Sequence, residues 1–293
     1  MNRKSYSSKI LLFGEYTVIN GSDALAIPFG RFKGSWGFDK RNIQKILFDL
    51  ADFIKKNLSG IESPVFKYNL FINDLNKGLF FDSDIPVGYG AGSSGALTAA
   101  VFDSYFIRKD INIYELKTNL ARIEDFFHSF SSGIDPLVSY LNQIIKISHR
   151  ENIEIVESDK YKFSNFSLYL IDSGKPRNTK TYVDIYKQKM GRHGFEKSFI
   201  EPHSNLSDSI IKSYLSNNEM ETFRLFHDIS ELQYKELHEM IDPQLSDIWI
   251  SFLNSYDGAI KLCGAGGGGF YLLMIKSDCD QNKILNDFKL LDI

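Results

Sequence analysis

Residues 84–100 read Asp-Ile-Pro-Val-Gly-Tyr-Gly-Ala-Gly-Ser-Ser-Gly-Ala-Leu-Thr-Ala-Ala. The glycines of this segment can adopt positive φ and let a ligand approach the backbone closely. The small residues that follow predict a helix over 93–107, whose first N–H groups have no intrahelical partner. Together with the helix dipole, such N–H groups bind anions, most often phosphate. We therefore interpret the segment as a phosphate-binding loop, and a flexible loop before a helix is the alternative.

The residues around this loop distinguish three kinds of glycine-rich phosphate loop. A Walker loop requires a Lys, and the segment contains none. The dinucleotide fingerprint Gly-x-Gly-x-x-Gly is matched by Gly90, Gly92 and Gly95, but a polar segment with Pro86 stands where a buried strand is required. The His-Arg-Asp and Asp-Phe-Gly segments of protein kinases do not occur. A Lys-free glycine–serine loop that opens an Ala-rich helix is what remains.

Length, charge and cysteine content narrow the class of protein. A chain of 293 residues, 43% of them hydrophobic, can build two domains or one large one. Its net charge of −3 gives no reason to expect a nucleic acid or an anionic membrane as a partner. Two cysteines are too few for a disulfide framework, which favours a cytoplasmic location. The apolar run at 10–13 is too short for a signal peptide or a transmembrane span.

Apolar periodicity predicts a chain of mixed helices and strands. Helices are predicted at 42–58, 114–129, 204–215, 219–240 and 244–255. Strands are predicted at 9–19 with a break at Gly14, and at 24–28, 66–72, 79–81, 143–147, 153–156, 167–172, 259–262 and 270–275. The polar run 157–165 is the predicted junction between two domains, 1–160 and 161–293.

Several charged residues have both a structural and a functional interpretation. Glu124 lies at the margin of an apolar helix face, where it is either solvated or turned inwards. Asp135 precedes Pro136 and could simply cap a helix. Lys9 and Glu15 could face solvent from a strand. The residues by themselves leave these alternatives open.

A second glycine cluster, Cys263-Gly264-Ala265-Gly266-Gly267-Gly268-Gly269, lies between two predicted strands. Five glycines in six residues within a β context indicate that another backbone or a ligand comes very close. Apolar strands flank the cluster tightly, so a linker is not favoured. A third segment of this kind lies near the N-terminus, around Gly14 and Gly21.

These three glycine-containing segments together resemble the GHMP kinase superfamily, and within it the mevalonate kinase family most. They occur in the family's order and span almost the whole chain. The matching residues are Lys9-x-x-Leu12-x-Gly14-Glu15-x-x-Val18-x-x-Gly21-x-x-Ala24-x-Ala26-x-Pro28, then Pro86-x-Gly88-x-Gly90-x-Gly92-Ser93-Ser94, then Lys261-x-x-Gly264-Ala265-Gly266-Gly267-Gly268-Gly269.

The resemblance implies a two-domain α+β fold, with an N-terminal ribosomal protein S5 domain 2-like domain and a C-terminal ferredoxin-like α/β sandwich. It implies ATP as co-substrate, Mg²⁺ as cofactor, and phosphorylation of mevalonate to 5-phosphomevalonate in isoprenoid precursor synthesis. The enzyme would be a monomer or a homodimer. The alternatives are another GHMP small-molecule kinase, such as a phosphomevalonate or sugar kinase, and a catalytically inactive GHMP-fold binding protein.

The same resemblance implies roles for individual residues. Asp135 would be the catalytic carboxylate that accepts the hydroxyl proton, and Lys9 the catalytic lysine that stabilises the alkoxide. Ser94 and Glu124 would be the magnesium ligands. The triphosphate would be bound by Gly88, Gly90, Ala91, Gly92, Ser93, Ser94 and Gly95, and the acceptor by Glu15, Thr179, Gly266 and Gly267.

Four positions depart from the mevalonate kinase pattern. Tyr16 stands where His commonly follows the Glu, and Ser131 replaces a Pro before Ser-Gly-x-Asp. Gly95 replaces an Ala after the two serines, and Pro136 stands where Asn is frequent. Tyr16 bears most on the acceptor, because its neighbour Glu15 is predicted to line the acceptor pocket.

Overall fold

The computed structural model describes residues 4–58, 64–107, 110–128, 130–148, 152–157, 163–279 and 288–293, without the side chain of Thr179. The chain divides into two compact units that interleave along the sequence. Unit 1 contains Met1–Ile10, Ile27–Pro86 and Ala91–Gln143, and unit 2 contains Leu11–Ala26, Val87–Gly90 and Ile144–Ile293. The predicted domains 1–160 and 161–293 are sequential, whereas these units are not.

Unit 1 combines antiparallel strands with a layer of helices. Its elements are β1 (Ser5–Phe13), β2 (Ala24–Phe38), α1 (Lys45–Asn57), β3 (Val65–Phe66), α2 (Tyr68–Asn76), β4 (Leu79–Ser83), α3 (Ser93–Tyr105), β5 (Phe106–Ile107), α4 (Ile113–Glu124) and α5 (Ile134–Leu141). β2 is hydrogen-bonded to β1 and antiparallel to β4, and β3 pairs with β5. The Ala-rich α3 is at the centre of the core, with Ala96, Ala99 and Phe102 fully buried. The first strand and the start of the second extend into unit 2.

Some sequence-based predictions in unit 1 differ from the structure. The strand predicted at 66–72 is wrong beyond its first residue, because α2 begins at Tyr68 and buries Phe71 and Leu75 at helical spacing. The strand predicted at 24–28 is much longer. It continues because Gly34 and Gly37 leave room for the rings of Phe81 and Phe80, which any Cβ at those positions would overlap.

Unit 2 is built on a four-stranded antiparallel sheet. Its elements are β6 (Ile144–Ser148), β7 (Asn152–Val156), β8 (Phe166–Asp172), α6 (Thr179–Met190), α7 (Glu201–Leu215), α8 (Glu219–Glu236), α9 (Pro243–Ser255), β9 (Gly258–Leu262), β10 (Phe270–Lys276) and β11 (Lys289–Asp292). The strand order in the sheet is β11-β8-β10-β9. The strands predicted on either side of the second glycine cluster are confirmed as β9 and β10. Trp249, Tyr271 and Leu273 are fully buried between this sheet and its helices.

The hairpin of β6 and β7 explains why the units interleave. β6 pairs with β7 from Ile144↔Val156 to Ser148↔Asn152, and on its other side with Ala24–Ala26 at the start of β2. These hydrogen bonds tie a segment from the beginning of the chain to the unit that contains its C-terminal half. Within the described residues, no helix is both long and apolar enough to cross a membrane.

Candidate active site

The phosphate loop leads directly into α3, as the sequence predicted. Gly92 is the N-cap, with φ of 74° in the left-handed region. Its carbonyl accepts the first hydrogen bond of the helix, from the N–H of Ala96 at 2.9 Å. The N–H groups of Ser93, Ser94 and Gly95 therefore form the first turn and point out of the helix end. This arrangement, with the positive end of the helix dipole, suits a phosphate group.

Lys9 and Asp135 form an ion pair beside this helix end. Lys9 Nζ lies 2.9 Å from Asp135 Oδ1, and the Lys9 side chain is 10% exposed against 33% for Asp135. The Lys9 N–H donates to the carbonyl of Ala91 at 2.9 Å, so β1 is fastened to the loop itself. A Cβ on Gly92 would lie 3.4 Å from Lys9 Cγ and 3.7 Å from Asp135 Oδ2. The ion pair is thus in contact with the N-terminus of α3.

The alternative in which Asp135 merely caps a helix is wrong. The N-cap of α5 is Gly133, with φ of 73°, and Asp135 lies in the first helical turn. Its carboxylate contacts Lys9 instead of the N–H groups of its own helix, while the helix dipole still favours a negative charge there. The tight approach of α3 and α5 also explains Gly95, because a Cβ at that position would lie 2.8 Å from the carbonyl carbon of Asp135.

Glu124 is turned inwards at the end of α4, where it is 3% exposed. Ser94 Oγ donates to Glu124 Oε1 at 2.9 Å, and Ser131 Oγ donates to Oε2. His128 Nε2 lies 3.1 Å from Ser94 Oγ on the exposed side. Burial and the neighbouring charge of Asp135 raise the pKa of Glu124 to about 7, against the lowering effect of the hydrogen bonds from the two serines.

The first half of the phosphate loop, Val87–Gly90, belongs to unit 2 and rests on Arg177 there. The Arg177 N–H donates to the carbonyl of Gly88 at 2.9 Å, and its guanidinium donates to the carbonyl of Cys263 at 2.9 Å. Any Cβ at Gly90 would overlap this guanidinium. Arg177 Nε is buried and has no hydrogen-bond partner.

The second glycine cluster is filled by atoms of the protein itself. A Cβ at Gly266 would lie 2.8 Å from the carbonyl oxygen of Met240, and one at Gly267 would overlap the ring of Tyr182. Gly269 donates its N–H to the carbonyl of Lys175 at 2.8 Å. Internal packing thus accounts for the absence of side chains at Gly266 and Gly267.

A buried polar network connects Glu15 with the interior of unit 2. Lys261 Nζ lies 2.6 Å from Glu15 Oε1, and the two side chains are 0% and 2% exposed. The same ammonium donates to the carbonyls of Leu12 and Leu262, each at 2.9 Å. Gln233 Nε2 donates to Glu15 Oε1 at 2.7 Å. Glu15 Oε2 is buried and has no hydrogen-bond partner.

Tyr16, the residue after Glu15, has φ of 69°, which is unusual for a residue other than glycine. Its ring packs 4.9 Å from that of Tyr186 and 6.2 Å from that of Phe199. Its hydroxyl is buried and has no hydrogen-bond partner. Burial, and secondly the charge of Glu15, hold the pKa of Tyr16 well above its usual value, so the hydroxyl remains a donor.

Comparison with known proteins shows which family this arrangement is similar to. Residues 52–143 match the family described as GHMP kinases N terminal domain, a segment that includes the loop, α3, Glu124 and Asp135. The part of the chain that contains the candidate site is thus similar to GHMP kinases. The mevalonate kinase of Dictyostelium discoideum is 23% identical to the chain, over 96% of this chain and 89% of that protein.

Solved GHMP kinases share the fold. L. major mevalonate kinase in complex with R-mevalonate has a TM-score of 0.65 at 16% identity, over 98% of this chain and 90% of that chain. Streptococcus pneumoniae phosphomevalonate kinase in complex with phosphomevalonate and AMPPNP has a TM-score of 0.69 at 13% identity, over 99% and 98%. The two-domain α+β architecture of a GHMP kinase is therefore confirmed. Two kinases with different acceptors match equally well, so the fold by itself does not select the acceptor.

Unit 1 brings together every residue that was predicted there to act on the phosphoryl group. Lys9, Asp135, Ser94 and Glu124 surround the N-terminus of α3. Of the residues predicted to bind the acceptor, Glu15, Gly266 and Gly267 lie in unit 2, in the surroundings described above. The side chain of Thr179 lies outside the described residues. The roles of all these residues stay predictions.

Sequence reasoning missed Ser131 and His128. Ser131 seemed only a departure from the family's Pro, yet its hydroxyl donates to Glu124 and accepts from the N–H of Gly133 at 3.0 Å. The N–H of Ser131 in turn donates to Asp125 at 2.7 Å. The spacing of Ser131 from Glu124 gives no periodic signal, because the chain leaves α4 between them.

The buried residue His203 is held neutral by the amide of Gln233. The N–H of Leu262 donates to Gln233 Oε1 at 2.8 Å, which fixes the orientation of that amide. Gln233 Nε2 therefore faces His203 Nε2 at 3.0 Å, and the ring nitrogen must accept. A protonated ring would place two donors face to face. Burial likewise lowers the pKa of His203 to about 4, from an ordinary value of 6.5.

We expect His203 to make stability depend on pH below neutrality. Between pH 6.5 and 4 the unfolded chain binds a proton at this position and the folded chain does not, so the free energy of unfolding falls as the pH falls. The loss reaches about 3 kcal/mol at pH 4 and does not grow below it. The measurement is thermal unfolding of wild type and His203→Gln from pH 7 to 4.5. The unfolding temperature of the variant should depend less on pH than that of the wild type. His193→Gln, at an exposed histidine, is the control and should follow the wild type. Parallel curves for His203→Gln would contradict the assignment.

Proposed function

We propose that this protein is a GHMP kinase that transfers the γ-phosphoryl group of ATP to the hydroxyl of mevalonate. The observation that carries the proposal is the Lys9–Asp135 ion pair in contact with the glycine-capped N-terminus of α3. A carboxylate, an ammonium and a row of free N–H groups are what transfer to an alcohol requires. Mevalonate is favoured as acceptor because the Dictyostelium discoideum relative is a mevalonate kinase that aligns along nearly the whole chain.

The proposed mechanism assigns one task to each residue of unit 1. The N–H groups of Ser93, Ser94 and Gly95 bind phosphate oxygens and hold the donor in line. Asp135 accepts the proton of the attacking hydroxyl through its half-exposed carboxylate. Lys9, which is nearly buried, orients that carboxylate and stabilises the negative charge that develops on the attacking oxygen. Catalysis then rests on position and charge, without a covalent intermediate.

The pair of Ser94 and Glu124 fits a magnesium ion. Both offer hard oxygen atoms, 2.9 Å apart at the start of α3, and Mg²⁺ usually takes one or two protein oxygens together with phosphates and water. A buried carboxylate near the charge of Asp135 is also stabilised by a cation. Among the described residues no group of three or more His, Cys, Asp or Glu could hold a metal, so a site shared with phosphate oxygens is the one we propose. When bound, Mg²⁺ would neutralise charge on the transferred phosphate.

Glu124→Gln should raise the Mg²⁺ concentration for half-maximal activity by at least about tenfold, because it removes the ligand charge and keeps an oxygen for the two serines. The measurement is a Mg²⁺ titration of ADP release at fixed nucleotide. Glu154→Gln, an exposed carboxylate on β7, is the matched control and should titrate like the wild type. An unchanged half-maximal concentration in Glu124→Gln would assign the metal elsewhere.

The acceptor is tested by measuring ADP release with mevalonate, phosphomevalonate and galactose in parallel. We expect turnover with mevalonate at a kcat/KM far above the other two. Phosphomevalonate kinase is the main alternative, since its structure superposes as well as that of mevalonate kinase. Turnover with phosphomevalonate alone would replace our proposal by that alternative. No turnover with any acceptor, despite nucleotide binding, would favour an inactive GHMP-fold binding protein.

We further propose that Tyr16 and Arg177 of unit 2 recognise the acceptor, together with the predicted residues Glu15, Thr179, Gly266 and Gly267. Tyr16 and Arg177 support this role because each keeps a buried donor without a partner, the hydroxyl and Nε. Arg177 is also close enough to Tyr16 to influence its pKa. Two such donors suit the carboxylate of mevalonate. A cytoplasmic location and action as a monomer or homodimer complete the proposal.

A further inference from the structure

Tyr89 of the phosphate loop is not specified by the family pattern and has no role in the mechanism proposed above. It stands between Gly88 and Gly90, whose φ values of 81° and 72° both lie in the left-handed region. Two neighbouring glycines give this part of the loop a large choice of backbone conformations. Some contact must select one of them if the loop is to bind phosphate reproducibly.

The side chains of the loop differ in their ability to supply that contact. Val87 is 77% exposed, and Ala91 offers only a methyl group. The Tyr89 ring packs on Phe270, with ring centroids 5.1 Å apart. Its backbone lies against Gly269, where a Cβ would be 2.9 Å from Tyr89 Cα. The Tyr89 side chain thus anchors the Gly88–Gly90 segment to the sheet of its own unit, unit 2.

The far end of the Tyr89 ring lies near a carboxylate. The charge of Asp172, the last residue of β8, acts on the Tyr89 hydroxyl. Asp172 and Phe270 are paired across β8 and β10, so the carboxylate and the ring beside Tyr89 belong to neighbouring strands. Burial and the charge of Asp172 raise the pKa of Tyr89, which keeps the hydroxyl protonated.

We propose that Tyr89 is a positioning residue for the nucleotide, which acts by holding the Gly88–Gly90 backbone through the packing of its ring on Phe270. The inference rests on the proposed function, because it assumes that the loop binds the phosphates of ATP. Removal of the ring leaves the N–H groups of α3 intact and adds a conformational cost to each binding event. The effect therefore falls on nucleotide affinity and not on the acceptor.

The test is calorimetric titration of the full chain with Mg²⁺ and AMPPNP. Tyr89→Ala removes the ring that packs on Phe270 and should weaken the affinity about three- to tenfold, the usual worth of one aromatic pair. Tyr89→Phe keeps the ring and should bind like the wild type. The KM for mevalonate at saturating ATP should stay close to wild type in both variants. Tyr68→Ala, which removes a ring packed 6.2 Å from that of Phe66 in unit 1, is the matched control and should bind normally.

A double-mutant cycle asks whether Tyr89 acts through Phe270. If it does, Tyr89→Ala should weaken nucleotide binding less in a Phe270→Leu background than in the wild type. Independent effects of the two substitutions would overturn the inference, and so would a Tyr89→Ala protein that binds AMPPNP like the wild type. A wild-type chain that fails to bind AMPPNP would instead refute the proposed function, so the two failures are distinguishable.

Discussion

Asp135→Asn is expected to lower kcat by about 10²- to 10⁴-fold, the range that general-base catalysis contributes. Asn has nearly the shape of Asp and keeps an oxygen toward Lys9 Nζ, which lies 2.9 Å from the carboxylate, so the loop and α5 should stay in place. What the variant loses is the group that accepts the hydroxyl proton. The Kd for Mg²⁺–AMPPNP should therefore remain within about twofold of wild type, since catalysis depends on groups that bind the transition state selectively.

Asp103→Asn provides the control for this experiment. Asp103 also pairs with a lysine in unit 1, with Lys4 Nζ 2.8 Å from its Oδ2, and its replacement should leave kcat unchanged. If Asp135→Asn retained wild-type turnover, Asp135 would not be the base. If it lost nucleotide binding as well as turnover, its role would be to shape the loop.

Lys261→Met should reduce the free energy of unfolding by about 3–5 kcal/mol, because it leaves the Glu15 charge buried without its partner. The ammonium is fully buried and also donates to two backbone carbonyls, which would lose that donor. Urea denaturation monitored by circular dichroism measures the change as a shift in midpoint. Replacing both partners, as Lys261→Met with Glu15→Met, should recover much of the loss, since removing the pair together leaves no isolated charge.

Arg41→Met tests the contrast with an exposed ion pair. Arg41 Nη2 lies 3.0 Å from Asp39 Oδ2, but the Arg41 side chain is 91% exposed, and ion pairs in water contribute little to stability. The urea midpoint of Arg41→Met should therefore be close to that of the wild type. Equal destabilisation by Lys261→Met and Arg41→Met would mean that burial of the Glu15 pair has no special consequence.

The chemistry of unit 1 could be predicted from the sequence because glycine and charge patterns are local signals. The loop that opens α3 at Ser93 was recognised from its glycines and from the residues that were missing around it. The pairing of Lys9 with Asp135, and of Ser94 with Glu124, came only from the resemblance. No periodicity connects residues so far apart in the chain, and the sequence by itself favoured an inert helix cap for Asp135.

The interior of unit 2 could not be predicted in the same way. Glu15 and Lys261 appeared as exposed strand residues or members of a motif, because alternation indicates which face of a strand is polar but not what covers that face. Nothing in the sequence showed that Gln233 would orient its amide between Glu15 and His203. The prediction of a strand at 66–72 failed for a related reason. In so short a segment, the positions of the apolar residues are compatible with both a strand and a helix.

The interleaving of the two units has a consequence for how the chain folds during synthesis. Leu11–Ala26 leaves the ribosome early, yet its partners in unit 2 follow only after unit 1 has been made. Glu15, for example, accepts a hydrogen bond from Gln233, which is made 218 positions later. Unit 1 can form its core once Gln143 has emerged, whereas the apolar and charged segment Leu11–Ala26 stays without its partners until Gln233 and Lys261 have been made. The chain is therefore most exposed to misfolding and to chaperone binding in that interval.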